Sequence, residues 1–217
     1  MGLRTSSLVH FFSCCDASGI VSFKLKKMLE LGNQHMKYND PSLDVYLKAI
    51  DVDTEPATGK EFFSKIGFEH TSMDINGLDG AEVIDLGAPI TDVKKLRYFD
   101  VITSFGTLEH VENQFFLMRN IHNMLKIGGI FYALCPASGL IKKHGWWMYT
   151  RSYFKELASY HDYKWISEPE IRKDVHPKYI SFCWQKVSPI EFMHHRLYKQ
   201  SLAEKVKRSE KKKQNQS

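Results

Sequence analysis

Short apolar runs alternate with amphipathic segments along most of the chain. From residue 24 onward the runs have the length of buried strands, and turn residues such as Gly32 and Asn33 bound them. We predict strands over residues 27–31, 70–75, 81–86, 100–104 and 129–135. Helices are predicted over residues 42–50, 59–66, 113–125 and 150–161, the third of them ended by the glycine pair 128–129. This alternation is typical of an α/β domain with a largely parallel sheet.

The last third of the chain breaks the alternation. Residues 136–149 are predicted as a long loop, and residues 164–167 and 179–186 as two consecutive strands with no helix between them. Such strands pair antiparallel, so we expect the sheet to end in an antiparallel pair. A further helix is predicted over residues 189–205. The chain then divides into an N-terminal helical extension (1–23), one α/β domain (24–188) and a C-terminal helix with a basic tail (189–217).

The composition is that of one globular domain with short extensions. The chain has 217 residues, of which 43% are hydrophobic and 25% charged, close to the average of folded proteins. Six basic and two acidic residues between 203 and 217 give this tail +4 of the total +5, so the other 202 residues carry only +1. A whole-domain nucleic-acid binder would be more basic. Because the tail has only two apolar residues, Ala203 and Val206, we expect its removal to leave folding unchanged.

Cysteine spacing and hydropathy favour a cytoplasmic protein. Cys14, Cys15, Cys135 and Cys183 show no Cys-x-x-Cys spacing, and reduced thiols are expected. No apolar stretch approaches the roughly 20 residues of a membrane span. The N-terminus resembles a signal peptide and a myristoylation site only weakly, and an amphipathic helix over residues 4–20 is the favoured interpretation.

Acids and a glycine follow three of the predicted strands. Gly32 comes after the first strand, Asp74 lies at the end of the second and Asp85 at the end of the third. Ligands of open α/β sheets bind at the carboxyl ends of strands, where a glycine admits the ligand and a carboxylate can accept both hydroxyls of a ribose. One such acid alone is more often a helix cap or a turn residue. The three in this order indicate a nucleoside site.

The strongest motif spans residues 98–131. It begins with the strand and loop YFDVITSFGTLEHVEN (98–113) and ends with MLKIGGIF (124–131). This succession resembles class I S-adenosylmethionine-dependent methyltransferases, in which an FD strand, an LEHV loop, an amphipathic helix and a buried strand follow one another. The resemblance extends over about residues 26–186. It implies a Rossmann-like methyltransferase fold, with a mostly parallel seven-stranded sheet ending in an antiparallel strand pair, and S-adenosyl-L-methionine as cofactor.

The resemblance implies cofactor contacts residue by residue. Glu30, Gly32 and Asn33 fall in the family's first motif, which lines the methionine end of the cofactor. Asp74 takes the place of the acid that holds the ribose, and Asp85 that of the acid beside the adenine amino group.

The loop after the fourth strand and the first glycine motif complete the implied site. Phe105 and Gly106 fall on the loop that lines the cofactor. The first motif departs from the family's Gly-x-Gly-x-Gly, because only Gly32 is kept in the run GNQHM. The amides of Asn33 and Gln34 offer both donors and acceptors. We interpret them as able to bind the amino-acid part of the cofactor in place of exposed backbone.

The connection between the second and third strands leaves Asp85 with two interpretations. Only residues 76–80 separate these strands, whereas a parallel crossover needs about a dozen residues or more. A hairpin at Asn76 would carry Asp85 to the far end of the sheet. Asn76 or Asp79 would then take its role beside the adenine.

Two histidines are candidates for catalysis. His110 follows the fourth strand, and His144 begins the aromatic segment HGWWMY (144–149) in the loop after the fifth. If the acceptor is a hydroxyl, a histidine suits the role of base. His110 has the alternative role of capping its loop. The aromatic segment is interpreted as shaping an acceptor pocket, with a lid packed on the core as the alternative. Glu109 and His110 without a third ligand are a poor metal signal, and no metal is predicted.

These features predict a methyltransferase that acts on a small molecule, with oxygen favoured over nitrogen as the acceptor atom. The chain offers no extra domain to grip a macromolecule, so the expected partner is a small methyl acceptor, with no specific nucleic acid and no membrane span. Two alternatives stay open. One is a non-catalytic cofactor- or nucleoside-binding module of the same fold, favoured by the degenerate glycine motif. The other is an NAD-dependent oxidoreductase, which the missing Gly-x-Gly-x-x-Gly disfavours.

Overall fold

A seven-stranded sheet forms the centre of the molecule. The computed structural model describes residues 2–37, 42–52, 55–141 and 144–208. The strands are β1 (Lys27–Leu31), β2 (Glu69–Asp74), β3 (Glu82–Val83), β4 (Phe99–Phe105), β5 (Leu125–Pro136), β6 (Trp147–Tyr149), β7 (Tyr163–Glu170), β8 (Tyr179–Lys186) and β9 (Val206–Arg208). Within the sheet the order is β3-β2-β1-β4-β5-β8-β7, parallel from β3 to β5 and antiparallel at β8 and β7. The predicted Rossmann-like sheet with its antiparallel end is confirmed.

Helices cover both faces of the sheet. They are α1 (Thr5–Ala17), α2 (Leu43–Ala49), α3 (Gly59–Lys65), α4 (Gln114–Met124), α5 (Arg151–Tyr160) and α6 (His195–Ser201). Strand side chains alternate between two cores: on β5, Phe131 and Ala133 pack with α4 and α5, while Ile130 and Tyr132 pack with α1 and α3. Among the described residues, none of these helices is both long and apolar enough to cross a bilayer.

The connection from β2 to β3 is short, yet the two strands are parallel. Met73 pairs with Glu82, so β3 begins where β2 ends. Gly77, Asp79 and Gly80 between them adopt φ values of 64°, 54° and 73°, and these left-handed residues turn the chain back within a few positions. The hairpin interpretation is therefore wrong, and the residues that follow β3 stay at the same edge of the sheet as the end of β2.

The end of α4 differs from its prediction. The helix stops at Met124, and the glycine pair expected to end it lies inside β5. The Asn123 carbonyl accepts a hydrogen bond from the Arg97 N–H at 2.8 Å, and the Met124 carbonyl accepts one from the Tyr98 N–H at 2.9 Å. Because these bonds satisfy the helix end, no glycine cap is needed.

The C-terminal helix is shorter than predicted. The seven-residue α6 follows a non-helical segment, 189–194, whose backbone groups bond to side chains of the domain. The His122 ring bonds to the Ile190 carbonyl at 2.8 Å, and the Met193 N–H donates to His161 Nε2 at 3.1 Å. These bonds compete with helix formation, which the sequence pattern alone favours.

A second, two-stranded sheet joins the loop after β5 to the C-terminus. Strands β6 and β9 pair antiparallel, with Tyr149 opposite Val206, in segments predicted as loop and as helix or tail. Val206 is buried and β9 belongs to this sheet, so the expectation that removal of residues 203–217 leaves folding unchanged does not agree with the structure. The rest of the predicted tail, residues 209–217, lies outside the described residues.

Removal of residues 203–217 is therefore expected to destabilise the protein. It deletes β9 and exposes the surface that buries Val206, a side chain whose burial contributes about 1.5–3 kcal/mol. The melting temperature should fall by roughly 2–4 °C for each kcal/mol lost. Deletion of residues 209–217 leaves every contact named above in place and is the comparison. Equal melting temperatures for both deletions would contradict the contribution of β9.

The protein is also expected to lose stability as the pH falls below neutral, through His122. Burial, followed by the nearby charge of Lys186, lowers the pKa of this histidine to about 3, whereas in the unfolded chain it is about 6.5. Below pH 6.5 this histidine binds a proton in the unfolded state but stays unprotonated in the folded state. The free energy of unfolding should therefore fall by about 2 kcal/mol between pH 7 and pH 5 on account of this residue. Denaturant unfolding at both pH values measures it, and His122→Asn should show a correspondingly smaller fall.

Candidate active site

A cavity of about 570 Å³ opens at the carboxyl edge of the parallel strands. The chain leaves β1 toward β2 on one side and returns to pair β4 on the other, so this is the point where the strand order reverses and where ligands of such sheets bind. Seven of the predicted site residues line the cavity: Asn33, Gln34, Asp74, Asn76, Asp85, Gly106 and His110.

Gly32 lies at the end of β1, against Thr107 of the loop after β4. Its φ is 81°, and a Cβ at this position would lie 2.5 Å from Thr107 Oγ1. Thr107 in turn donates its hydroxyl hydrogen to the Leu31 carbonyl at 2.6 Å and accepts from the Gln34 amide at 3.4 Å. Only glycine fits here, because both the backbone conformation and the close approach of Thr107 exclude a side chain.

Asp74 joins the ends of β1 and β2. Its two carboxylate oxygens accept hydrogen bonds from the backbone N–H groups of Asn33, at 3.2 Å, and Asn76, at 3.0 Å. The side chains of Asn33 and Asn76 bond to each other at 3.1 Å, and Asn33 also donates to Asp79 at 2.9 Å. A carboxylate has about four acceptor positions, so two further donors can be bound.

Asp85, two residues after β3, also lines the cavity. It is exposed, and one of its oxygens accepts from the Gly87 N–H at 2.8 Å. Ile84 and Leu86 beside it add apolar surface to the cavity. A carboxylate next to apolar walls suits a flat ring that carries an amino group.

Three predicted cofactor residues, Glu30, Gly32 and Phe105, are not part of the cavity lining, and the side chains of Glu30 and Phe105 are buried. Glu30 is 1% exposed, its oxygen lies 3.4 Å from His70 Nε2, and burial raises the pKa of its carboxyl group. Phe105 is fully buried in the core beside Phe11 and Tyr132. Both side chains support the strands that carry the site.

His110 and His144 meet beside the cavity. Their ring centroids are 5.0 Å apart, edge to face, and only His110 lines the cavity itself. Glu109 lies between them, with one carboxylate oxygen 3.3 Å from His144 Nε2 and 4.0 Å from His110 Nε2. Burial lowers the pKa of His110, and the charge of Glu109 opposes this shift.

Hydrogen bonds fix the aromatic segment against the loop after β4. The Trp146 N–H donates to the Glu109 carbonyl at 2.6 Å, and Trp147 Nε1 donates to the Val111 carbonyl at 3.1 Å. Gly145 has a φ of 64°, and a Cβ there would lie 2.6 Å from the same Glu109 carbonyl oxygen. The segment therefore forms a fixed wall of the cavity on this side.

Eight residues of the lining were not predicted from the sequence. Each lies within a few positions of a strand end or of a predicted site residue. Proximity in the sequence to those residues was the only feature that could have identified them. They are Met73, Ile75, Ile84, Leu86, Thr107, Val111, Glu112 and Trp146.

One protein-family model matches part of this chain. Residues 83–133, which include β4, its loop and α4, match a family model described as a methyltransferase domain. Curated protein sequences give no match.

Two solved structures have similar folds. One is assigned as an S-adenosylmethionine-dependent methyltransferase from Listeria monocytogenes, with 11% identity over 83% of this chain and 96% of that chain and a TM-score of 0.53. The other, an S-adenosylmethionine-dependent methyltransferase from Mesorhizobium loti, has 11% identity over 80% and 97% and a TM-score of 0.50. At these identities the likeness establishes the fold. The family model, which matches residues 83–133, describes a domain of the same kind as these two structures.

Proposed function

We propose that this protein is an S-adenosylmethionine-dependent methyltransferase that acts on a small molecule and methylates an oxygen atom. The observation that carries the proposal is that one cavity is lined by Asp74 and Asp85 from the β2 and β3 side of the sheet and by His110 and Trp146 from the loops after β4 and β5. The first pair suits a nucleoside cofactor. The second pair offers an aromatic wall and an imidazole to a compact acceptor.

The cofactor end fits S-adenosylmethionine by its donors and acceptors. Asp74 retains acceptor capacity for the two ribose hydroxyls, and Asp85 with Ile84 offers an acceptor and an apolar wall to the adenine. Asn33 and Gln34 also line the cavity, and we propose that their amides bind the amino-acid part of the cofactor in place of the backbone that the missing glycines would have exposed. The Asn33 amide nitrogen already donates to Asp79 and to the Leu78 carbonyl, so the Asn33 oxygen is proposed to accept from the ammonium group.

The acceptor end needs few chemical groups. When bound, S-adenosylmethionine supplies a methyl group on a positively charged sulfur. The sulfur is the leaving group and keeps the electron pair of the carbon–sulfur bond. The residues of this chain have to align the acceptor oxygen behind that methyl group, exclude water and receive the hydroxyl proton. His110 lines the cavity and His144 lies next to it, so both are proposed to act on the acceptor.

Replacement of Asp74 by alanine is expected to weaken S-adenosylhomocysteine binding at least tenfold. Hydrogen bonds to a charged group contribute about 1.5–3 kcal/mol each, and a tenfold loss corresponds to about 1.4 kcal/mol. Calorimetric titration of the folded variant measures the effect.

Asp92 provides a matched control. Its carboxylate accepts from the N–H two residues ahead at 3.0 Å, as that of Asp74 does, but it lies outside the cavity lining. Asp92→Ala should bind S-adenosylhomocysteine as the unaltered protein does. Unchanged affinity in Asp74→Ala, with a lower melting temperature only, would reduce Asp74 to a turn residue.

His110→Ala should lower kcat for methyl transfer by about a hundredfold or more, while S-adenosylhomocysteine affinity changes little. Release of S-adenosylhomocysteine from a panel of phenols, sugars, carboxylic acids and amines provides the assay. His194, an exposed histidine before α6, gives the control His194→Ala. Cofactor binding without turnover on any hydroxyl compound would favour the non-catalytic module, and turnover on amines alone would overturn oxygen as the acceptor.

A further inference from the structure

The carboxylate of Glu109 is buried without a hydrogen bond. Its side chain is 0% exposed, and neither oxygen has a hydrogen-bond partner among the described residues. The Nε2 atom of His144 is likewise buried and without a hydrogen bond in this part of the chain, although it lies 3.3 Å from Glu109 Oε1. Buried polar groups nearly always have a hydrogen-bond partner or another ligand. We therefore looked for a group that these two side chains could bind.

The geometry of the cluster suits a metal ion. One ligand atom each from Glu109, His110 and His144 can be chosen so that all three lie within 4.8 Å of one another. In a tetrahedral site with bonds of about 2.1 Å, ligand atoms are roughly 3.4 Å apart. The distance from Glu109 to His144 already has this value, and the half-exposed ring of His110 can close the longer distance by rotating.

We propose that Glu109, His110 and His144 bind one divalent transition-metal ion, of which Zn²⁺ is the best match. Two imidazoles and one carboxylate are the ligand set of many catalytic zinc sites, which keep a further position open. Mg²⁺ and Ca²⁺ prefer oxygen ligands. Because His110 lines the cavity, the open position faces the acceptor end.

The backbone holds these ligands together independently of any metal. Glu109 and His110 lie in the short helical turn after β4, and His144 precedes the segment bonded to that turn through the Trp146 N–H and the Glu109 carbonyl. Gly145, the residue after His144, leaves no room for a side chain against Glu109. The site is therefore preorganised, as a binding site for an ion requires.

The role of the ion rests on the proposed function. An ion at this position would bind the acceptor hydroxyl and lower its pKa. The proton then passes to water, the oxygen forms a bond to the methyl carbon, and the carbon–sulfur bond breaks with its electron pair on sulfur. The substrate class is thus a small molecule with a metal-binding hydroxyl. With the ion bound, the two histidines act on the acceptor as ligands of the ion, and water receives the proton.

Zinc titration of the full chain tests the site. The protein is stripped with a chelator and titrated with Zn²⁺ against a chromophoric competitor, and Co²⁺ is used as a spectroscopic substitute. We expect one ion per chain. Loss of outer-shell partners already costs 10–100-fold in affinity, so His110→Ala and His144→Ala, each lacking a direct ligand, should bind at least about a hundredfold more weakly. His194→Ala should bind normally.

The two histidine variants carry the test, since Glu109→Gln alters a fully buried residue and can fail to fold. No zinc binding by the unaltered chain, or undiminished binding by both histidine variants, overturns the site and leaves Glu109 and His144 as two side chains in contact.

Titration with S-adenosylhomocysteine and the methyl-transfer assay, each with and without zinc, separate the two proposals. Transfer that is unaffected by chelation overturns the metal while the function stands. Zinc binding without methylation of any hydroxyl supports the site and overturns its role.

Discussion

The pairing of β1 with both β2 and β4 decides where the functional groups lie. Parallel strands place all their carboxyl ends at one edge, and the reversal of strand order beside β1 opens the cavity there. The Thr107 hydroxyl bonded to the Leu31 carbonyl fixes β4 to β1 at that edge. This contact requires Gly32, so a single glycine suffices for the fold where the family pattern has three.

Most of the sheet could be predicted from the sequence because local pattern determines it. The central strands β1, β4, β5 and β8 are rich in apolar residues, and β1 and β8 begin and end where the pattern indicated. The small sheet could not be predicted. β6 and β9 have three residues each, too few to show a period, and their partners lie far apart in the sequence. The short connection that makes β3 parallel to β2 depends on the left-handed backbone conformation of Asp79. The sequence does not show that this residue adopts a positive φ.

The site could be predicted at the level of motifs but not of side-chain direction. Asp74, Asp85 and Gly106 line the cavity as a family pattern implies, whereas the side chains of Glu30 and Phe105 point into the cores. Successive strand residues face opposite sides, so a motif that names a strand end does not say which of its side chains reach the ligand. The meeting of Glu109 with His144 depends on loop hydrogen bonds and had no sequence signal.

Because β6 pairs with β9, the elements around the cavity are completed at different times during synthesis. The strands that form the cofactor end are complete once β8 has been made. The wall that follows His144 continues directly into β6, whose partner β9 is among the last described residues to be synthesised. Contacts this distant in sequence form late. The wall that begins at His144 therefore gains its last strand partner only after the large sheet is complete.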